Sequence, residues 1–135
     1  MKLQVGVKVL LKNNDGKYLL LHRSKEKYPD IVDGSWDIIG GRIDVGETLM
    51  NNLKREIMEE SGLKLVGDPV LVGAQDILRG SEKHVVRLTY VGGEAVGDVV
   101  LDDEHDDFKW FSIDEMKELD GLDFYLKEIL NNIFN

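Results

Sequence analysis

The segment that most limits how this chain can fold is Thr48 to Ser61, a run without proline or glycine. It opens on a residue able to cap a helix N-terminus and is followed by Gly62 in the position of a C-cap, so it predicts a helix. Leu49, Leu53 and Ile57 step by four and form the stripe by which that helix meets a core. The acids lie close to this stripe instead of opposite it. At about 100° per residue, Glu56 and Glu60 project within about 60° of Leu53, while Glu59 flanks Glu56 on the side away from Ile57.

Carboxylates three and four residues apart repel one another by a few tenths of a kcal/mol even when exposed, and by more at a core edge. A divalent cation would remove the conflict, because magnesium is bound through a few carboxylates and fills its other positions with water and substrate phosphates. Arg55 is spaced to pair with Glu59 at i+4 and hold its rotamer. With Lys54 and Arg55 among them, the same acids also suit an ordinary charge-balanced surface helix. Spacing within the helix leaves both readings open.

Elsewhere the chain reads as strands. Val5, Val7, Val9 and Leu11 alternate, Asn13 to Gly16 has turn chemistry, and Tyr18 to Leu21 resumes an apolar run, which predicts a hairpin. A loop over Lys25 to Ser35, with Pro29, Asp33 and Gly34, leads to a short strand at Trp36 to Ile39. Val70 to Ile77 and His84 to Val91 read as strands joined by a turn containing Gly80, and Phe108 to Phe111 as a short aromatic strand. Phe124, Leu126, Ile129, Leu130 and Ile133 recur at helical spacing. Strands and helices in this order predict an α/β fold, a sheet covered by helices on both sides.

Composition narrows the partners. A formal net charge of -9 argues against an extended grip on duplex nucleic acid, which relies on Lys and Arg displacing counterions. Small anionic substrates would need a cation between two negative partners. With no cysteine there is no disulfide framework, Cys-based zinc site or thiol nucleophile. No apolar run approaches the ~20 residues that span a bilayer, so the expectation is a soluble, cytoplasmic protein without a membrane partner. Its 135 residues suit one domain over 1–135.

The residues ahead of the helix decide between its two readings. From Gly41 the chain reads Gly, five residues, Glu47, seven residues, Arg55-Glu56, Ile57, Met58, Glu59-Glu60, Ser61, Gly62, Leu63. This resembles the Nudix box at every defining position, and Trp36 with the Gly40-Gly41 pair resembles the segment that precedes it. Ile39 departs from the pattern, which commonly has proline there. The resemblance implies a Nudix-type α/β/α sandwich with a mixed sheet.

For the site, the resemblance implies that Glu56, Glu59 and Glu60 bind Mg2+, or Mn2+ in its place, with a backbone carbonyl from Gly41 or Gly40. Glu47 and Arg55 would organise them, and Gly62 would end the helix. The implied reaction is cleavage of a phosphoanhydride in a nucleoside diphosphate linked to another group, with Glu56, Glu59 and Arg55 in the catalytic set. A MutT-like conversion of a nucleoside triphosphate to monophosphate and pyrophosphate is favoured over ADP-ribose or sugar-nucleotide cleavage. A non-catalytic nucleotide-binding module is the alternative of another class, opposed by the intact acids.

Outside the box, Arg23, Lys25 and Arg42 are candidates for phosphate contacts and Trp36 for stacking on a base. His22, His84 and His105 show no ligand spacing and are assigned to no metal. In the acidic run from Asp98 to Asp107, Glu104 ahead of Trp110 is the expected general base or further ligand. A homodimer stays open.

Overall fold

The computed structural model describes residues 2–31, 34–80 and 82–134. Among these, β1 (Lys2–Lys12) is the central strand: Val7, Val9 and Leu11 enter one buried cluster while Leu10 enters the other. Successive strand side chains point to opposite faces, so this split means that both faces of the sheet are covered. β2 (Tyr18–Arg23) repeats the pattern, with Leu19 and Leu21 on one side and Tyr18 and Leu20 on the other.

The remaining strands are β3 (Trp36–Asp37), β4 (Ile39–Arg42), β5 (Lys64–Val66), β6 (Val70–Arg79), β7 (Lys83–Val96) and β8 (His105–Phe111), and together the eight form one mixed sheet. β1 runs parallel to β7 from Lys2 opposite Lys83 to Lys12 opposite Glu94, and antiparallel to β4. β5 and β6 both pair antiparallel with β7, and β8 with β2.

Helix α1 (Leu49–Ser61) covers one face through Leu53 and Ile57, both fully buried against Val7, Val9 and Leu21. Each such side chain contributes roughly 1.5–3 kcal/mol by leaving water. Helices α2 (Ile113–Lys117) and α3 (Phe124–Ile133) cover the other face through Met116, Leu126 and Leu130. The expected sheet between helices is what the sequence forms. The Thr48 hydroxyl accepts from the Asn51 amide at 3.1 Å, and Gly62 ends α1 at φ 70° with its amide on the Met58 carbonyl.

Several local expectations change. The hairpin of β1 and β2 is short: they pair antiparallel at Lys12 and Tyr18 and then part, β1 toward β4 and β2 toward β8. A turn sequence fixes where the chain reverses, not which strand wins the rest of each edge. β8 begins at His105, ahead of the expected Phe108, and β7 extends past Val91 to Val96 to receive β5. α2 carries its own signal, a capping box in which Ser112 and Glu115 each accept the other's amide. Asp33 lies outside the described residues. No helix among the described residues is long and apolar enough to cross a membrane.

Candidate active site

The stripe that buries Leu53 and Ile57 carries the neighbouring acids to the sheet edge, where α1 meets β4. Glu56 and Glu60 are the inward pair, with side chains 16% and 12% exposed, whereas Glu59 remains 56% exposed. The Gly40 amide donates to Glu60 Oε2 at 3.1 Å. Glycine is required at position 40, and at 41 it leaves room for Glu56. Gly40 has φ 142°, and a Cβ there would strike the Val7 carbonyl and lie 2.7 Å from Lys8 Cα; a Cβ on Gly41 would lie 2.9 Å from Glu56 Oε1.

Burial is the main force on both inward acids. It pushes the Glu60 carboxyl up to about 8, with the adjacent Glu56 charge adding to the rise and Lys8 opposing it. Glu56 is also raised, first by burial, and a hydrogen bond links the two carboxyl groups. Two carboxylates so placed share a proton unless a cation lies between them. An oxygen-rich site at a glycine strand, short of positive charge, suits a hard divalent ion. Among the described residues, however, no three His, Cys, Asp or Glu side chains are already arranged to hold a metal ion.

Arg55 engages the exposed acid Glu59. Its Nη1 donates to both Glu59 carboxylate oxygens at 3.2 and 3.1 Å, and its Nε and Nη2 each reach Glu47 at 3.3 Å. Hydrogen bonds to Glu47 and Glu59 hold this guanidinium even more firmly protonated than usual. Nη2 also donates to Asn52 Oδ1 at 2.6 Å and to Asp44 at 3.2 Å. Asp44 and Asn52 are members of this hub that the sequence did not single out; both lie within one turn or one short loop of Glu47, which was the available signal.

Across the cleft lies a second charge cluster that sequence reasoning missed. Buried Asp37 accepts from Lys8 at 3.2 Å, Arg23 at 3.4 Å, Arg87 at 3.2 Å and the Ile38 amide at 2.8 Å. Burial alone would raise its carboxyl, but Lys8, Arg87 and Arg23 outweigh it and hold the group down at about 2. Arg87 continues to Asp123 at 2.9 Å, whose carboxylate caps α3 through the Leu126 amide. The charged residues come from four strands and the N-cap of α3 and share no sequence spacing.

Between the clusters runs a cleft with two lobes. The acidic lobe, about 360 Å3, is lined by Glu56, Glu59, Glu60, Asp102, Glu104 and His105 with Lys8, Arg23 and Tyr28. The wider lobe, about 510 Å3, shares Lys8, Arg23 and Glu104 and adds Arg42, Arg87 and Tyr125. Arg23, Arg42 and Glu104 are therefore brought to the cleft. Trp36 is not: it bridges to Leu122 as a strand residue and stacks edge-on with His22 at 4.8 Å and Phe111 at 5.6 Å, beside the second core cluster. Trp36 is half-buried there and lines neither lobe. Lys25 is likewise off the cleft wall, its amide taken by Asp106.

The acidic run sorts into two groups. Asp103 pairs with Lys27 and Asp106 with His22, each at 2.7 Å, away from the cleft. Asp102 and Glu104 line it, and the Glu104 carbonyl is fixed by the Ser24 amide at 2.8 Å. His105, given no role from sequence, stands 3.8 Å from Glu60 Oε1 through Nε2 and 2.7 Å from Asp102 through Nδ1.

The chain is similar in sequence and fold to known proteins. A MutT protein from Methanosarcina mazei Go1 is similar at 29% identity and TM-score 0.81, covering 96% of this chain and 91% of its own. A MutT NUDIX hydrolase from Burkholderia pseudomallei shares the fold at 24% identity and TM-score 0.79, covering 98% and 99%. The nucleoside triphosphatase NudI of Salmonella newport (strain SL254) is 29% identical over 112 residues, 76% of this chain and 78% of that protein. The NUDIX domain profile matches residues 2–132. A glutamate helix seated on a glycine strand, in a fold shared with these proteins and matched almost end to end by that profile, means that this chain belongs to the NUDIX domain family and is a Nudix hydrolase.

Proposed function

We propose that the chain cleaves a nucleoside triphosphate to a monophosphate and pyrophosphate with a divalent cation, Mg2+ or Mn2+, at the acidic lobe. The observation that carries this reading is the inward Glu56 and Glu60 pair in a cleft that Lys8 and Arg23 also line. A triphosphate chain is the group that needs both a cation and basic side chains. The names of similar proteins, MutT and nucleoside triphosphatase, support the same class.

Glu56, Glu59 and Glu60, with a carbonyl of Gly40 or Gly41, would hold the cation. When bound, it neutralises phosphate oxygens and makes a coordinated water more acidic. Arg55 keeps Glu47 and Glu59 in register for that task. Lys8 and Arg23 orient the phosphates, and their partner Asp37 fixes their positions. Arg42 reaches the substrate from the wider lobe. Glu104 accepts the proton of the attacking water as the new P–O bond forms and pyrophosphate leaves from the other side of phosphorus. A nucleoside diphosphate linked to a sugar is the second reading, favoured by the room in the wider lobe.

The deciding experiment incubates the purified protein with nucleoside triphosphates, ADP-ribose and sugar nucleotides, with Mg2+, with Mn2+ and with chelator, and identifies the products. Monophosphate plus pyrophosphate, formed only with cation, is the expected outcome. Inorganic phosphate released stepwise, or equal rates in chelator, would overturn the reading.

A further inference from the structure

We infer that His105 supplies a nitrogen ligand to the cation at Glu60, with Asp102 fixing the ring, so that the site takes a first-row transition ion such as manganese in preference to magnesium. The inference rests on the metal-dependent reading above and adds to it a residue and an ion preference.

The fold makes the juxtaposition. Glu60 sits in the last turn of α1, and His105 opens β8, where pairing with Arg23 of β2 brings it to the end of the cleft. Asp102 Oδ1 lies 2.7 Å from His105 Nδ1. A carboxylate oxygen accepts, so Nδ1 carries the proton on the Asp102 side and Nε2 is the nitrogen turned toward Glu60. A carboxylate that fixes the tautomer from behind is how metal-binding imidazoles are oriented.

Nε2 stands 3.8 Å from Glu60 Oε1, beyond hydrogen-bond reach, which leaves a gap between the two atoms. Two ligands held about 2.1 Å from one ion stand about 3.0 Å apart at right angles and about 4.2 Å apart when opposite. The observed gap falls inside that window. The other described histidines lack it: His22 and His84 each pair with an aspartate at 2.7 Å, and neither lines the acidic lobe.

The chemistry of the donor sets the preference. Magnesium is bound by oxygen, whereas an imidazole nitrogen raises affinity for first-row transition ions in the order that begins with manganese. A set of oxygens from Glu56 and Glu60 plus one nitrogen from His105 therefore discriminates where an all-oxygen set does not.

The test uses manganese itself on the whole chain, with no nucleotide present. Binding is followed by loss of the free Mn2+ resonance, and pulsed electron paramagnetic resonance then looks for histidine nitrogen coupled to the bound ion, assigned by 15N-histidine labelling. The expected result is a histidine coupling in the wild type that disappears in His105→Gln, with Mn2+ affinity reduced at least about 10-fold and Mg2+ affinity reduced by a smaller factor. Asp102→Asn should keep the coupling and weaken binding. Bound Mn2+ without histidine coupling in the wild type overturns the inference and leaves the metal-dependent reading standing. No Mn2+ binding at all overturns both.

Discussion

The Gly40 amide donates to Glu60 Oε2 at 3.1 Å, so the last acid of α1 is locked to the glycine strand on which the site is built. The same contact leaves Glu60 buried beside Glu56, with too little positive charge nearby to keep both ionised.

A pH dependence follows. The Glu60 carboxyl is raised from its ordinary value of 4.5 to about 8, so the folded chain binds a proton that the unfolded chain has released. This contribution to stability is complete below about 4.5 and is lost as pH rises through about 8. In chelator, Tm should fall across that interval, and Glu60→Gln should flatten the fall. Saturating Mg2+ should do the same by replacing the proton. Asp37 acts in the opposite sense and outside this window, because its carboxyl is held at about 2 and its contribution is lost only in acid. A Tm constant from pH 5 to about 8 in chelator would refute the raised carboxyl.

Glu56→Gln should reduce turnover by at least about 100-fold, since the cation loses an inward ligand. Circular dichroism and Tm should show a folded protein no less stable than wild type, because the substitution removes a like-charge contact. Wild-type turnover would sink the assignment; so would unfolding, which would make Glu56 structural.

Arg55→Lys should lower Mg2+ affinity about 10- to 100-fold, measured by titration calorimetry, even though the charge is kept. One ammonium cannot serve Glu47, Glu59, Asn52 and Asp44 together as the planar fork does. Unchanged affinity would show that the hub does not position the ligands.

Asp37→Asn should destabilise the fold by about 3–5 kcal/mol in urea denaturation, because it leaves the deeply buried Arg87 short of a counter-charge at its Nη2. Substituting exposed Asp103, whose partner Lys27 is also at the surface, should change stability by under about 1 kcal/mol. Similar small losses in both variants would contradict the role given to the Asp37 cluster.

What could be read from the sequence was whatever is periodic or contiguous. The stripe Leu49, Leu53, Ile57 fixed which acids turn inward, and Thr48 and Gly62 fixed where α1 begins and ends. The pairing of Arg55 with Glu59 needed only helical geometry. The Asp37 cluster was illegible because Lys8, Arg23, Asp37, Arg87 and Asp123 meet through strand order, which no local pattern encodes. Trp36 was ambiguous for the same reason: a tryptophan at a strand end can face a cleft or a core, and pairing of β3 with β2 at His22 sets it half-buried beside the second core cluster. His105 and Glu104 are neighbours in a run of acids that looked uniform, and only the pairing of β8 with β2 shows which of them face the cleft.

That pairing sharpens the last prediction, which concerns the base. Of the acids in the run from Asp98 to Asp107, Asp102 and Glu104 line the acidic lobe, and Glu104 alone also lines the wider one. Asp102 is engaged with His105 at 2.7 Å, so its loss would disturb the ring as well as the charge. Glu104 stands at the junction of the lobes, where an attacking water and a phosphate would meet, with its backbone fixed through Ser24. A carboxylate taking a proton there would contribute about 100- to 10,000-fold. Glu104→Gln should therefore lower kcat by that order and leave Mg2+-induced stabilisation in place, while Asp103→Asn stays near wild type. Loss of Mg2+ stabilisation together with kcat would make Glu104 a ligand instead. Near-wild-type kcat would return the base to α1, where Glu59, freed from Arg55, is the next carboxylate to substitute.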